Sequence, residues 1–220
     1  MSLVVVKDVT KTYRLGTQTV TALADVSLEV QAGEFLAIAG PSGSGKTTLL
    51  NLVGCLDTPT SGEIEIDGEA VAALSAGRRA DLRARKLGFI FQTFNLIPVL
   101  TAWENVEYPL LLTKRGGNGA RVRAALEQVG LGDRARHRPP ELSGGQQQRV
   151  AIARALVTEP ALVLADEPTA NLDSRTGHEI VELMRRLNRE RQTTFVFSTH
   201  DPRIMTVADR VVEIRDGRVQ

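Results

Sequence analysis

One glycine-rich stretch constrains the fold of this chain more than any other, namely Gly40-Pro41-Ser42-Gly43-Ser44-Gly45-Lys46-Thr47-Thr48. It follows an apolar run at residues 34–39 and opens a helical pattern that begins near Lys46. Strand, glycine loop and helix are the context in which G-x-x-x-x-G-K-[ST] forms a phosphate-binding P-loop. The glycines let successive N–H groups point at one anion, and the helix dipole adds positive potential there. A glycine-rich turn with an incidental lysine is the alternative, but the two flanks favour a nucleoside triphosphate site.

Each position of this loop has an expected role. The Lys46 ammonium is expected to reach the β- and γ-phosphates, and the Thr47 hydroxyl is expected to complete a magnesium shell. The residues expected to surround the phosphates are Gly40, Ser42, Gly43, Ser44, Gly45, Lys46, Thr47 and Thr48.

Two adjacent carboxylates, Asp166 and Glu167, end a continuous apolar run at residues 161–165. A carboxylate at the end of a buried strand is costly unless a cation meets it, and in a P-loop protein that cation is magnesium, bound directly or through water. Glu167 is expected to orient a water against the γ-phosphate as a general base. An acidic pair that only caps the strand before Pro168 is the alternative. His200 follows another core strand, and strand ends in open α/β sheets converge on the ligand crevice.

The N-terminal region has a β-rich pattern at residues 3–9 and 20–30, and the second run ends in clean alternation of apolar and polar positions. Such alternation is typical of an antiparallel sheet with one face in water. Tyr13 is predicted to lie in the connection between the two runs. Its ring could stack on an adenine base or could plug the sheet edge, and the residues alone leave both open.

The remaining pattern predicts a parallel core. Continuous apolar runs at residues 161–165 and 194–197 are typical of strands buried on both faces, and an amphipathic helix is predicted between them at about 174–189. Residues 210–217 predict a last hairpin.

An inserted region interrupts this core from residue 93 to about 141. It has no strand pattern, and its helical periodicity is broken by Pro98, Pro109 and Gly116-Gly117. The predicted fold class is α/β, with a P-loop NTPase core around a mixed, mostly parallel sheet, an N-terminal antiparallel β subdomain and an inserted α-helical subdomain. We expect one domain over residues 1–220, divided into a core with the β subdomain (1–92 and 150–220) and a helical subdomain (about 93–149).

The composition argues against several classes of protein. Lys plus Arg total 27 and Asp plus Glu total 26, so a net charge of +1 gives no support for a general nucleic-acid surface. The arginines at 78–86 fit a solvated helix face better than a polyanion site. A single cysteine, Cys55, excludes an intramolecular disulfide, and no apolar run approaches the roughly 20 residues that span a bilayer. Without a signal-peptide pattern at the start, we expect a cytoplasmic protein that reaches a membrane only through a partner.

A second glycine motif, Leu142-Ser143-Gly144-Gly145-Gln146, leads into a helical pattern. Ser143 is expected to cap this helix, and the two glycines leave backbone N–H groups bare for a phosphate. One nucleotide does not plainly need two such sites from one molecule, so the sequence indicates a dimer that shares its ligands. A glycine-rich helix start without ligand is the alternative.

With these motifs in place, the chain resembles an ATP-binding cassette (ABC) ATPase over essentially all of its residues. The features that occur in the family's order are the P-loop, Gln92, the LSGGQ signature at 142–146, the run 162–167, Asn171-Leu172-Asp173 and His200. The resemblance implies ATP and Mg²⁺ as ligands, ATP hydrolysis as the activity and a RecA-like core.

The resemblance also assigns roles that spacing alone does not. Tyr13 becomes the adenine-stacking aromatic, Gln92 the sensor of magnesium and of the attacking water, and His200 the γ-phosphate switch. The implied magnesium ligands are Thr47, Gln92 and, through water, Asp166.

The implied assembly is a head-to-tail dimer of two copies of this chain. Each ATP would lie between the P-loop of one copy and the signature of the other, contacted by Ser143, Gly144, Gly145 and Gln146. Asp173 would lie at the seam between the copies.

Two further stretches, residues 54–63 and 94–106, resemble the lipoprotein-release and macrolide-export branch of the family. The resemblance implies an integral membrane permease as partner, ATP-driven export, and a position on the inner face of the plasma membrane. No nucleic acid is expected as a partner. The alternative is a soluble ABC ATPase that acts on nucleic acid or on the ribosome, and the near-zero net charge argues against it.

The segment after Gln92 carries more apolar side chains than an ordinary surface loop, namely Phe94, Leu96, Ile97, Val99, Leu100 and Trp103. Some of them must pack into the helical subdomain. An exposed remainder would mark a protein partner's site, so we expect this segment, centred on residues 94–100, to contact the permease.

Overall fold

The computed structural model describes residues 2–113 and 119–220, with the side chain of Leu15 left aside. The predicted helix break at Gly116-Gly117 lies outside the described residues. The strands are β1 (Ser2–Leu15), β2 (Gln18–Gln31), β3 (Phe35–Ala39), β4 (Ser61–Ile66), β5 (Glu69–Ala70), β6 (Leu87–Ile90), β7 (Leu162–Asp166), β8 (Thr194–Thr199), β9 (Arg210–Arg215) and β10 (Arg218–Val219). The α-helices are α1 (Lys46–Val53), α2 (Ala76–Lys86), α3 (Ala102–Leu112), α4 (Gly119–Gln128), α5 (Gly144–Leu156), α6 (Ser174–Arg191) and α7 (Pro202–Val207).

The N-terminal sheet is antiparallel throughout, in the order β2-β1-β4-β5. Its first two strands are longer than predicted. Tyr13 therefore lies within β1, opposite Val20, and its predicted place in a connection is wrong. The reason is that residues 16–21 are exposed, so the hairpin continues by backbone pairing where the alternation of buried and exposed positions has already stopped.

The second sheet has the order β10-β9-β3-β8-β7-β6, and every pairing in it is parallel except that of β9 with β10. All residues of β3 and β8 are buried, as the continuous apolar runs predict. The last hairpin is confirmed as β9 and β10. This arrangement is the predicted mixed, mostly parallel sheet.

Two hydrophobic cores lie on opposite faces of the parallel sheet. Strand β3 alternates between them: Phe35 and Ala37 face the core formed with α3–α6, whereas Leu36 and Ile38 face the core shared with α1 and the N-terminal sheet. Because β3 is fixed on both faces, the loop that leaves its carboxyl end starts from a rigid base.

Helices α3, α4 and α5 pack on one another, and α5 also packs against β6 and α6. A boundary at residue 149 would fall inside α5, so the division of the chain into subdomains stays a prediction. None of the helices in the described part of the chain combines the length and the apolar character that crossing a bilayer requires.

Candidate active site

The carboxyl ends of three neighbouring parallel strands form one edge of the sheet. Strand β3 leads into the P-loop, β7 ends at Asp166 and β8 ends at Thr199, just before His200. A cleft of about 590 Å³ opens at this edge. Its walls are Ala22, Ser42, Gly43, Gly45, Lys46, Thr47, Thr48, Gln92, Glu167, Ala170 and His200. The topology thus brings together most of the residues that the motifs singled out.

The P-loop curls because its glycines take backbone conformations that other residues rarely adopt. Gly43 has φ of 78° and Gly45 has φ of 107°. A Cβ on Gly45 would also lie 2.6 Å from the carbonyl oxygen of Ala22. Inside the curl, Lys46 Nζ donates to the carbonyl oxygens of Gly40 at 2.9 Å and Pro41 at 3.0 Å, and its side chain is only 7% exposed. A nearly buried ammonium at the mouth of a cleft is suited to a charge-assisted contact with phosphate.

Two of the predicted phosphate-binding residues, Gly40 and Ser44, do not line the cleft. Gly40 has φ of 153°, and a Cβ there would lie 2.1 Å from the carbonyl oxygen of Ile214 in β9. The Ser44 hydroxyl is buried and has no hydrogen-bond partner among the residues described. Packing therefore accounts for the glycine at position 40, and the predicted phosphate contacts of these two residues stay predictions.

The Asp166 carboxylate is held by two hydroxyl groups. Thr47 Oγ1 donates to Asp166 Oδ1 at 3.0 Å, and Ser198 Oγ donates to the same oxygen at 2.5 Å. Gln92 lines the same cleft, so hydroxyl, carboxylate and amide oxygens are available, which suits the oxygen preference of Mg²⁺. Among the described residues no three His, Cys, Asp or Glu side chains form a metal cluster.

Ser198 was not singled out from the sequence. Its signal is a hydroxyl group near the end of a fully buried strand, where a polar side chain needs a partner.

Glu167 occupies an unusual position directly after β7. Its backbone has φ of 47°, a left-handed conformation uncommon for a side-chain-bearing residue, and its N–H donates to the carbonyl oxygen of Ser198 at 2.9 Å. The carboxylate lies 2.8 Å from His200 Nδ1 and 3.9 Å from Lys46 Nζ. Glu167 is thus a poorly exposed carboxylate that faces the cleft between two basic groups.

The signature motif lies at the start of α5 and does not line this cleft. The predicted cap is present: Ser143 Oγ accepts from Gln146 N at 3.3 Å, and Gln146 Oε1 accepts from Ser143 N at 2.9 Å. A Cβ on Gly145 would lie 2.4 Å from Thr176 Cγ2 in α6, so this glycine is also required by packing. One copy of the chain does not bring its own signature to its own P-loop cleft.

Asp173 is exposed and caps α6 by accepting hydrogen bonds from the backbone N–H groups of Thr176 and Arg175. A hydrogen bond from the Thr176 side chain, followed by these backbone bonds, lowers the pKa of the Asp173 carboxyl. The local reason for an aspartate here is therefore a helix cap, and its place at a dimer seam stays a prediction.

Tyr13 does not line the cleft either. Its hydroxyl donates to Asp57 Oδ2 at 2.9 Å, and Lys11 Nζ lies 4.8 Å from its ring centroid. Burial, together with the bond to Asp57 and its negative charge, raises the pKa of Tyr13. Adenine stacking by this ring stays a prediction.

Comparison with known proteins agrees with these motifs. The family model described as ABC transporter matches residues 23–170. The macrolide export ATP-binding/permease protein MacB of Syntrophobacter fumaroxidans is 50% identical over 224 residues, which cover 100% of this chain and 31% of that protein. The lipoprotein-releasing system ATP-binding protein LolD of Bordetella pertussis is 50% identical over 212 residues, covering 96% and 92% of the two chains.

A solved structure agrees with the fold. It is a dimeric post-hydrolysis state of the ATP-binding cassette MJ0796 bound to ADP and Pi, with a TM-score of 0.91 and 47% identity over 99% of this chain and 96% of that one. The chain thus spans less than a third of the MacB relative and nearly the full length of the LolD relative.

Proposed function

This chain belongs to the ABC transporter family, and from that membership and the geometry of its cleft we propose that it is the ATP-binding and ATP-hydrolysing subunit of a transporter of the lipoprotein-release or macrolide-export type. The predicted family and the predicted P-loop NTPase fold are confirmed by the relatives and by the matching structure. The observation that carries the proposal is the meeting of Lys46, the Thr47–Asp166 pair and Glu167 at one cleft.

The chemistry of the cleft is that of phosphoryl transfer to water. The P-loop N–H groups and the Lys46 ammonium bind the phosphates, while Thr47, Asp166 and Gln92 hold Mg²⁺, which neutralises charge on the phosphate oxygens when bound. Glu167 orients the attacking water and accepts its proton, and His200 keeps the Glu167 carboxylate in place.

The signature supports a dimer because it lies outside the cleft of its own copy. The half-exposed start of α5 presents backbone N–H groups of Gly144 and Gly145 at a helix N-terminus, where an anion is favoured. Two copies arranged head to tail would supply each nucleotide with both a P-loop and a signature. The ATP-binding cassette MJ0796, which is similar over nearly its full length, forms a dimer in its ADP- and Pi-bound state.

A groove of about 540 Å³, lined in part by Phe91 and Asn95 on either side of Gln92, supports contact with a permease. Its walls include Leu56, Phe89, Phe91, Pro109, Leu112 and Arg154, and Leu56 and Leu112 are 50% and 62% exposed. Exposed apolar side chains around a groove are typical of a protein partner's site. Through this partner the subunit would lie on the inner face of the plasma membrane.

The segment centred on residues 94–100 contributes less to this surface than the sequence suggested. Among its apolar residues only Val99 is highly exposed, at 72%, because the buried Asn105 amide donates to the carbonyl oxygens of Ile97 and Leu100 and folds the segment onto α3. Leu96 and Trp103 pack against the core.

The proposed activity is tested by magnesium-dependent release of phosphate from ATP by the purified chain. Lys46→Ala should abolish it, whereas Lys86→Ala, which removes an exposed ion pair with Asp67, should not. The nucleic-acid alternative gains no support from the relatives. Capture of a detergent-solubilised permease, against binding of DNA or ribosomes, separates the two functions.

A further inference from the structure

The side chain of Gln148, in the second turn of α5, contacts the segment that follows strand β7. It is fully buried, and its Nε2 donates to the carbonyl oxygen of Pro168 at 2.7 Å. Because a carbonyl can only accept, this contact fixes the orientation of the amide. A helix that begins with the signature residues is therefore bonded to the residue that follows Glu167.

The backbone around Glu167 needs such support. Its left-handed conformation costs energy in a residue other than glycine and persists only when its surroundings hold it. Three contacts do so: the Glu167 N–H donates to the carbonyl oxygen of Ser198, the Glu167 carbonyl accepts from Ala170 N, and Gln148 binds the next carbonyl along the chain. The Gln148 contact is the one that comes from the signature helix.

The buried amide of Gln148 is no more favourable for stability than an apolar side chain of the same size. Gln148 Oε1 is buried without a hydrogen-bond partner in residues 2–113 and 119–220, and an unpaired buried acceptor reduces stability. A methionine of similar shape would remove this unpaired acceptor but leave the buried Pro168 carbonyl without its donor, so the number of unpaired acceptors at this contact stays at one. Stability alone therefore does not explain a glutamine here.

A second side chain of α5 makes a parallel connection to the segment that follows Gln92. Arg154 is half-buried, and this desolvation lowers its pKa to about 10. It donates to the carbonyl oxygens of Phe94 and Asn95, both of which have positive φ. Asn171 Nδ2 donates to the Gln92 carbonyl oxygen at 2.9 Å, so the segment after Glu167 is also bonded to the segment that begins at Gln92. The signature helix is thus bonded to both loops that carry the water-positioning residues.

We infer that Gln148 is a positioning residue for hydrolysis, which sets the Glu167 carboxylate through the Pro168 carbonyl and so ties the catalytic geometry of one copy to the placement of its own signature helix. The inference rests on the proposed ATPase function. It assigns to Gln148 no contact with nucleotide, so binding of ATP should not depend on it.

The first test compares Gln148→Met with the wild-type chain. We expect kcat for ATP hydrolysis to fall about 10- to 100-fold, because small displacements of catalytic groups cost rates of that order, while KM, ATP binding and the unfolding temperature stay close to wild type. Asn188→Leu is the matched control: it removes another buried amide, bonded to the carbonyl oxygens of Gly33 and Thr193, and should lower the unfolding temperature without changing kcat of the folded protein. A Gln148→Met chain with wild-type kcat overturns the inference.

The second test shows in which copy Gln148 acts. A trace of Gln148→Met chain is mixed before ATP addition with an excess of Glu167→Gln chain, so that hydrolysis comes only from the Glu167 of the trace copy. The reciprocal mixture is a trace of wild type with an excess of the double variant Gln148→Met/Glu167→Gln.

We expect slow hydrolysis in the first mixture and the rate of wild type with Glu167→Gln in the second. Slow hydrolysis only in the second mixture would mean that Gln148 acts through the signature, and it would overturn the inference. If the wild-type chain alone releases no phosphate, the proposed function fails instead.

Discussion

The carboxylate of Glu167 meets the imidazole of His200 across the ends of two neighbouring parallel strands, with Oε2 and Nδ1 2.8 Å apart. Because an ionised carboxylate can only accept, the hydrogen of this contact lies on Nδ1, and Nε2 is directed away from Glu167. Glu167 is 16% exposed and His200 71%. The pair therefore couples a sheltered carboxylate to a ring that is open to whatever binds in the cleft.

This relationship predicts a defined outcome for Glu167→Gln. The amide keeps the shape of the side chain but cannot accept a proton, so hydrolysis should fall by about 100-fold or more while ATP and magnesium still bind. Trapped ATP should then hold two copies together, which size-exclusion chromatography can resolve. Glu190→Gln, on the exposed face of α6, is the matched control. Normal hydrolysis by the Glu167 variant would remove this residue from the chemistry.

The two glycine motifs should separate binding from dimerisation. Lys46→Ala should weaken ATP binding to the monomer because it removes a charge-assisted contact to phosphate. Ser143→Arg should leave monomer binding nearly intact and prevent the ATP-dependent dimer, because Ser143 lies outside the cleft of its own copy.

Nucleotide titration and light scattering measure the two properties independently. An equal loss of monomer binding in both variants would contradict the shared-site arrangement.

The sequence predicted the elements of this site because its motifs depend on local chemistry. A P-loop, a strand-end carboxylate and a capped glycine helix each have a pattern that short-range geometry imposes, and parallel strands then bring their ends to one edge. The sequence also predicted the antiparallel and parallel sheets, since burial on one face or on two leaves different patterns.

Other features depend on contacts between distant residues and leave no such pattern. The glycine at position 145 is required by Thr176, which lies in another helix. The contact of Gln148 with Pro168 joins residues whose proximity only the tertiary packing of α5 establishes. The placement of Tyr13 was wrong because backbone pairing extends the hairpin beyond its buried part.

Substitutions in the groove lined by Leu56 and Leu112 should impair transport without impairing ATP hydrolysis. Leu56→Gln and Leu112→Gln change exposed side chains, so the folded subunit should keep its basal ATPase activity. Both changes should weaken binding of the permease and reduce transport, because they place polar groups in an apolar contact. Val211→Gln, at an exposed position on β9 that does not line the groove, is the control. Normal transport by both groove variants would place the coupling surface elsewhere.

The Asp201 carboxylate should stabilise the fold in a pH-dependent way, so the difference in stability between wild type and an Asp201 variant should change with pH. Burial opposes ionisation of this carboxylate, but hydrogen bonds from Arg203 and from the Thr169 hydroxyl outweigh it and lower the pKa to about 2 from 3.8. A lowered native pKa means that the folded state prefers the charged form. The resulting stabilisation is complete above pH 4–5 and disappears as the pH falls through about 2.

Asp201→Asn should therefore reduce the free energy of unfolding at pH 7 by about 1–2 kcal/mol, and the difference from wild type should shrink between pH 4 and about pH 2. Urea unfolding of both proteins at each pH measures it, because protonation of the other carboxylates affects wild type and variant alike. Asp81→Asn, an exposed carboxylate of α2, should give a difference near zero throughout. A difference for Asp201→Asn that stays constant down to pH 2 would show that the charge of this carboxylate does not stabilise the fold, and its contribution would then come from the shape of the side chain alone.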